Sequence, residues 1–296
     1  MNLDPNPSHP KQICEWEHLL QCPICTSPMK WTIPGSFTCS SKHVFDFSRQ
    51  GYLNLSTRAI KTKYMKPLFT ARRAMIDSGF FSPLHELVID QIILNRAERT
   101  STMRMLDAGC GEGSHLQQIM ELADASTVKL AGTGIDLAKE GIAMAAKHNP
   151  ENIWCVADLA NCPFADGRFD IILNLLSPSS YSEFRRLLVP GGIVIKVVPG
   201  PHYLKELRDW LGIAEPAGNK PGGKSLERFR AHFSTVDAVS LKYEVALDYC
   251  LLESLLRMTP LTWQVTDEHI LQLLSSDRNL SSVTCDFIVL LGKYER

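Results

Sequence analysis

Two groups of residues in this chain have the types and spacing to do chemistry. The first is Cys22-Pro23-Ile24-Cys25, then thirteen residues, Cys39, three residues and His43. Four soft ligands grouped as two pairs are what a closed tetrahedral zinc site takes, with two knuckles presenting thiolates and a hairpin bringing them together. Because protein fills all four positions, such a metal is structural, with no open place for catalysis. Cys14 and His18 form another x3 pair, a competing ligand set upstream of the knuckle. The second group is Met103-Arg104-Met105-Leu106-Asp107-Ala108-Gly109-Cys110-Gly111-Glu112-Gly113, a short apolar run ending in an acid and followed by glycines at alternate positions. Ser114 to Met120 then has helical spacing. Strand, glycine turn and helix together bring a nucleotide-like ligand against bare backbone at a helix N-terminus. Glycine supplies the positive φ and leaves room where a Cβ would stand.

The spacing G-x-G-x-G differs from the G-x-G-x-x-G of dinucleotide-binding folds and points to S-adenosylmethionine (SAM). Further acids fall where such a ligand would need them. Asp136, 29 residues after Asp107, is suited to the ribose hydroxyls, since a carboxylate accepts two hydrogen bonds from a diol. Asp158, with the backbone at Leu159, would reach the adenine amino edge. Asp107 anchors the loop and faces the cationic end of the ligand.

From Met103 onward the pattern alternates strand and helix, the signature of a doubly wound sheet. Strands are predicted at 103–108, 128–135, 152–157, 169–174 and 193–198, with helices at 113–123, 138–148 and 181–189. Segments 235–247 and 281–292 suit a closing antiparallel hairpin with a helix near 248–258. Two helices before the first strand, from Pro67 and from Pro83, can cover the ligand. The fold class is therefore α/β, a Rossmann-like SAM-dependent methyltransferase sheet carrying a small N-terminal zinc-binding module. Ligands on such sheets sit outside the carboxyl ends of the strands near the switch point. The expected division is a polar leader over 1–21, a zinc-binding module over 22–57, a basic linker over 58–66 and a methyltransferase domain over 67–296.

Composition narrows the setting. The 296 residues are 45% apolar and 21% charged, ordinary for a globular chain. No apolar run approaches the roughly 20 residues needed to span a bilayer. Residues 1–10 lack the basic-then-apolar order of a secretory signal, so a cytoplasmic location is expected. Nine cysteines in apolar contexts read as buried thiols of a reducing compartment. The net charge of −1 hides a split, because Lys42 to Arg73 holds eight basic residues against one acid, a net of +7. Such asymmetry suits a phosphate-binding face. Arg49, Arg58, Lys61, Lys63, Lys66, Arg72 and Arg73 are the candidate RNA contacts. Aromatics interleaved with them (Phe45, Phe47, Tyr52) suit either unpaired bases or a small core over the zinc, with the core expected to claim most of them.

The chain resembles the bacterial 23S rRNA guanine-N-1 methyltransferases, which include a macrolide-resistance branch. The resemblance covers nearly all of 22–296 and rests on CPIC with C-x3-H, VFDFSRQGYLNL, ARRAMIDSGFFSPL, LDAGCGEG, PGPHYLKEL and MTPLTW. It implies the four zinc ligands above, cofactor contacts at Phe81, Gly111 and Glu112 and at the residue after PGP-x, 23S rRNA as partner, and a homodimer. The chain departs from the family in its polar leader and in having Tyr203 where a histidine is usual, with His202 one position earlier. Both therefore compete for the cofactor-facing role. The chemistry expected is transfer of a methyl group to guanine N-1 in a hairpin loop, which requires the N-1 proton to leave. Asn174 to Ser179, after the fourth large-domain strand, would line the rim where the base enters. No base is assigned: Asn174 cannot serve as one, and Asp158 and His202 stand as titratable candidates. A small-molecule methyltransferase would share the glycine turn without needing a zinc module, and a non-catalytic RNA-binding protein could retain SAM as a regulator.

Overall fold

The computed structural model describes residues 10–33, 35–58, 66–95, 101–213, 223–263, 265–275 and 280–295. Helix α1 (Pro10–Leu19) leads to a three-stranded antiparallel sheet of β1 (Met29–Ile33), β2 (Ser36–Cys39) and β3 (Val44–Asp46). Then come β4 (Leu53–Asn54), α2 (Lys66–Asp77) and α3 (Ser82–Asn95). The large sheet opens with β5 (Met103–Ala108), α4 (Ser114–Asp124), β6 (Leu130–Asp136), α5 (Lys139–His148) and β7 (Ile153–Val156). It continues with β8 (Phe169–Leu175), α6 (Tyr181–Leu187) and β9 (Leu188–Pro199). After α7 (Lys205–Leu211) and α8 (Gly223–Arg230) comes β10 (Thr235–Ala246). Helix α9 (Tyr249–Met258), a 3-10 turn at Pro260–Thr262 and α10 (Asp267–Leu274) lead to the last strand, β11 (Ser282–Lys293).

The large sheet runs β10-β11-β9-β8-β5-β6-β7-β4. Strands β4 to β9 within it are mutually parallel, and β11 runs antiparallel to both of its neighbours, β9 and β10. Chain order reverses between β5 and β8, which opens a crevice at their carboxyl ends. Both faces are covered, so the central strands are apolar throughout rather than alternating with polar residues. In β9, Ile193, Ile195 and Val197 join the core beneath α2, α3, α4 and α9, whereas Val194 joins the opposite core with α6 and α8.

Two features differ from expectation, and a third departs from the usual build of parallel sheets. Pro190-Gly191-Gly192 lies inside β9 and does not precede it, because Gly191 N donates to Tyr294 O and Tyr294 N to Gly192 O, just past the end of the neighbouring β11; a register shift against β8 absorbs the extra residues. Tyr52 belongs to the main core with Ala71 and Ala146 and not to a small core over the zinc, where Phe47 sits against Trp16 and Trp31. The connection from β7 to β8, residues 157–168, contains no helix. Parallel strands are usually joined by a crossover helix. Here α1 and the three-stranded unit occupy that face instead: Trp16, Leu19, Cys22, Met29, Phe37 and Leu53 share one core with Cys155, Ala157, Phe164 and Phe169. Within the span 22–57, β4 pairs with β7 and so extends the large sheet itself.

Candidate active site and metal centre

The end of β5 delivers Asp107 to the crevice, and the chain then turns through Gly109, Gly111 and Gly113, at φ of 89°, 59° and 79°. A Cβ on Gly109 would collide with Ser177 Oγ, and one on Gly111 would stand 2.6 Å from Arg72 Nη1. Backbone N–H groups of Gly109 and Cys110 both donate to Ile135 O, at 2.8 and 3.1 Å. Asp136 braces the same turn, since Gly111 N donates to its Oδ2 at 2.9 Å and Ala138 N to its Oδ1 at 2.8 Å. Each oxygen keeps a second acceptor position, and the residue is half-buried, so ribose hydroxyls remain within its chemistry.

Two buried carboxyl groups carry oxygens with no hydrogen-bond partner. Asp107 is 1% exposed and Glu112 0%, and Asp107 Oδ2 and both Glu112 oxygens accept nothing among the described residues. Burial pushes Asp107 up to about 8, and the neighbouring Asp136 and Glu112 charges add to this. Burial also raises Glu112, opposed by Arg72, whose Nη1 lies 3.8 Å from Glu112 Oε2. Orphaned buried acceptors are costly, so this arrangement is built for a ligand that brings donors and positive charge. The ammonium, sulfonium and ribose hydroxyls of SAM fit that requirement. Arg72 was expected on the RNA, but helix α2 turns it inward over Gly111 and 5.8 Å from the Phe69 ring. Arg73, one position on, pairs with Asp77 at 3.5 Å with its Nη1 buried. Helical geometry directs both arginines toward packed neighbours, where charge counting placed them on an outer face.

A set of aromatic rings packs against His115, in the first turn of α4. Phe81 lies 5.0 Å from the His115 ring and 6.1 Å from Phe287, and Tyr203 lies 5.1 Å from Phe287. His85 Nε2 and His115 Nδ1 are 2.8 Å apart; burial lowers both, His85 to about 4. Of the two residues competing for the cofactor-facing role, Tyr203 packs inward and His202 is exposed, its backbone N–H donating to Asp286 Oδ2 at 2.8 Å. Asp158 is exposed and accepts from Ala160 N at 2.9 Å, while the Leu159 side chain approaches Gly109.

The segment after β8 is locked from below. Asn174 Nδ2 donates to Ala108 O at 2.7 Å and Pro178 O at 2.9 Å, and Ser179 Oγ donates to Asn174 Oδ1 at 2.8 Å. Lys196, 6% exposed, donates to Asn174 Oδ1 at 2.6 Å and Ser177 O at 3.1 Å, and burial lowers it to about 8. Asn174 is thus spent on holding the segment to the glycine turn. Leu176 projects from it at φ 52°, 37% exposed. Sequence reasoning passed over Lys196; the signal was one lysine inside the apolar strand Ile193–Val198.

Cys22, Cys25, Cys39 and His43 come together, with their ligand atoms all within 4.8 Å of one another. Cys22 Sγ and Cys39 Sγ each lie 3.4 Å from His43 Nδ1, and Cys25 Sγ lies 3.6 Å from Cys39 Sγ. Metal–ligand bonds of about 2.0–2.3 Å in a tetrahedron have edges close to these lengths, so the set fits zinc. The competing pair is elsewhere, with Cys14 exposed and His18 Nε2 2.9 Å from Arg168 Nη1. Arg49, Arg58 and Lys66 are exposed; Lys61 and Lys63 lie outside the described residues.

Two family models match the chain: "RlmA, N-terminal", a zinc ribbon, over 20–56, and "Methyltransferase domain" over 106–196. The Bacillus subtilis protein YxjB, named for 23S rRNA (guanine-N(1)-)-methyltransferase activity, is 39% identical over 276 residues, 93% of this chain and 96% of its own. The chain belongs to the 23S rRNA (guanine-N(1)-)-methyltransferase family. Another member, the 23S rRNA (guanine(748)-N(1))-methyltransferase of Streptomyces fradiae, is 30% identical over 268 residues, 90% of this chain and 93% of its own. By contrast, the fatty-acid O-methyltransferase of Mycolicibacterium smegmatis is 30% identical over only 116 residues, 36% of this chain and 40% of its own. Likeness to this enzyme of another substrate class stays within about a third of the chain, whereas family likeness takes in the ribbon as well. The enzyme is a SAM-dependent methyltransferase with a structural zinc, and no helix among the described residues is long and apolar enough to cross a membrane.

Proposed function

We propose that this enzyme methylates N-1 of a guanine in a hairpin loop of 23S rRNA, in the cytoplasm where ribosomes are found. The observation that carries the reading is likeness to YxjB across 93% of the chain, through ribbon and methyltransferase domain alike. When bound, SAM supplies a methyl group on an electrophilic sulfonium. Asp107 and Glu112 would offer their unpartnered oxygens to its ammonium end. Asp136 takes the ribose hydroxyls, while Asp158 and the Leu159 backbone take the adenine edge. Phe81 and Tyr203 close one side against water. A guanine unstacked from a loop would enter beside Leu176, over the segment held by Lys196 and Asn174. Its N-1 proton must leave as the methyl arrives, and holding the base against the donor supplies much of the acceleration. Arg49, Arg58, Lys61, Lys63 and Lys66 would hold RNA phosphates, and the resemblance also implies a homodimer.

The test is methyl transfer from labelled SAM to ribosomal RNA lacking the modification. Label in the RNA is expected; label only on small molecules, or nowhere, overturns the reading. Primer extension on the product maps the guanine and assigns the enzyme to the housekeeping or the resistance branch.

A further inference from the structure

The loop that follows β7 carries Asp158 and Leu159, yet it has no helix of its own to anchor it. Helix α6 anchors it on one side, where Cys162 N donates to Glu183 Oε2 at 2.9 Å, and the zinc ribbon with the residues just before it anchors the other. Leu20 and Phe164 form an antiparallel bridge, Gln21 N donates to Pro163 O at 3.0 Å, and Ala165 N donates to Leu19 O at 2.8 Å. Asn161 Nδ2 donates at 3.3 Å to the carbonyl of Pro23, which sits inside the Cys22–Cys25 knuckle itself. On the other side of the ribbon, Leu53 and Asn54 pair with Cys155 and Val156, and Leu55 N donates to Val156 O at 2.9 Å. The strand that ends at the adenine loop and the loop itself are therefore both held from the ribbon. Arg186 provides the opposing anchor, donating to Phe164 O at 2.7 Å and Cys162 O at 2.9 Å.

The knuckle includes one unfavourable backbone conformation. Thr26 sits at φ 59°, a left-handed conformation that a non-glycine residue adopts reluctantly, and Thr26 N donates back to Cys22 O at 2.8 Å. A metal drawing Cys22 and Cys25 together maintains that turn and with it the aim of the Pro23 carbonyl. We propose that the zinc ribbon is a positioning element of the cofactor site: its metal-closed knuckle, through Pro23 and Asn161, fixes the loop that presents Asp158 and Leu159 to the adenine. This rests on the reading of those two residues as adenine contacts.

The experiment is calorimetric binding of S-adenosylhomocysteine to the full chain, zinc-loaded, zinc-stripped and zinc-restored. Removal of zinc is expected to weaken binding about tenfold, the scale of ordinary coupling between sites, and stoichiometric zinc is expected to restore it. Adenosine alone should lose the same factor, because the displaced contacts are on the adenine side. Asn161→Ala and Asn161→Asp, at an exposed position, should each keep one zinc per chain and weaken both ligands about threefold, the value of one hydrogen bond. Unchanged affinity in zinc-stripped protein that keeps its main thermal transition overturns the proposal, as does a loss for S-adenosylhomocysteine that adenosine does not share. If stripping unfolds the whole chain, the two Asn161 variants decide, and wild-type affinity in both overturns it. Zinc-loaded protein that binds no S-adenosylhomocysteine refutes the methyltransferase reading instead.

Discussion

The glycine turn and the zinc ribbon each gather a ligand set, but different forces hold them in place. The turn is fixed by the fold: it follows a central strand buried at every position but Arg104, and Ser177, Arg72 and Trp154 fill the space where side chains on its glycines would go. The ribbon has strands of three to five residues and a half-exposed ligand set, so its own burial is slight and a metal must close it. A site fixed by packing is damaged by adding atoms; a site closed by a metal is damaged by removing it. That contrast orders the expected effects.

The largest effect falls on the turn. Gly109→Ala puts a Cβ on Ser177 in a left-handed backbone, and should lower affinity for S-adenosylhomocysteine about a hundredfold or more by calorimetry, as misplacement of about 1 Å does. Full affinity in that variant would mean the turn does not touch the ligand. Next comes Cys39→Ala, which should abolish zinc retention in metal analysis while only weakening cofactor binding, so the two centres fail unequally. Equal failure would erase the contrast.

The pH dependence sharpens it further. Burial holds the Asp107 carboxyl protonated up to about 8, whereas the unfolded carboxyl ionises near 4. Between those values the folded, ligand-free state binds the extra proton, so its stability should fall as pH rises from 4 to 8. Affinity for the cationic ligand should rise over the upper part of the same window, because the carboxylate is the form that meets an ammonium. Thermal midpoints and calorimetry at pH 6 and 8 check both slopes, and Asp107→Asn should flatten them. A milder effect is expected for Arg72→Met, which should weaken S-adenosylhomocysteine severalfold, the scale of a charged hydrogen bond, and leave the salt dependence of RNA binding intact. The smallest belongs to Arg58→Ala, which should reduce the salt slope of RNA binding by about 1 and leave the cofactor alone.

Features with short sequence range were legible. The spacing of Cys22, Cys25, Cys39 and His43 predicts a cluster that the fold closes, and apolar periodicity locates β5 to the residue and the other central strands to within a few. Long-range packing was not legible. Nothing local says that α1 and the ribbon cover the face beside the helix-free residues 157–168, because that depends on pairing residues more than a hundred positions apart. Charge counting also could not tell Arg72, turned inward by its position on α2, from Arg58, which is exposed. Lys196 sits between apolar neighbours in its strand, and only the fold reveals that Asn174 Oδ1 and Ser177 O accept its hydrogen bonds.

The pairing of Leu53 with Cys155 has a consequence for synthesis. These residues lie about a hundred positions apart, so at roughly 5–20 residues per second β4 waits some seconds on the ribosome before β7 exists. During that interval the apolar side of the ribbon, with Trp16, Leu53 and Leu55, has no surface to cover it. A metal bound early would keep the nascent segment folded and ready, so that cellular zinc supply governs the yield of this protein before it governs any property of the finished molecule.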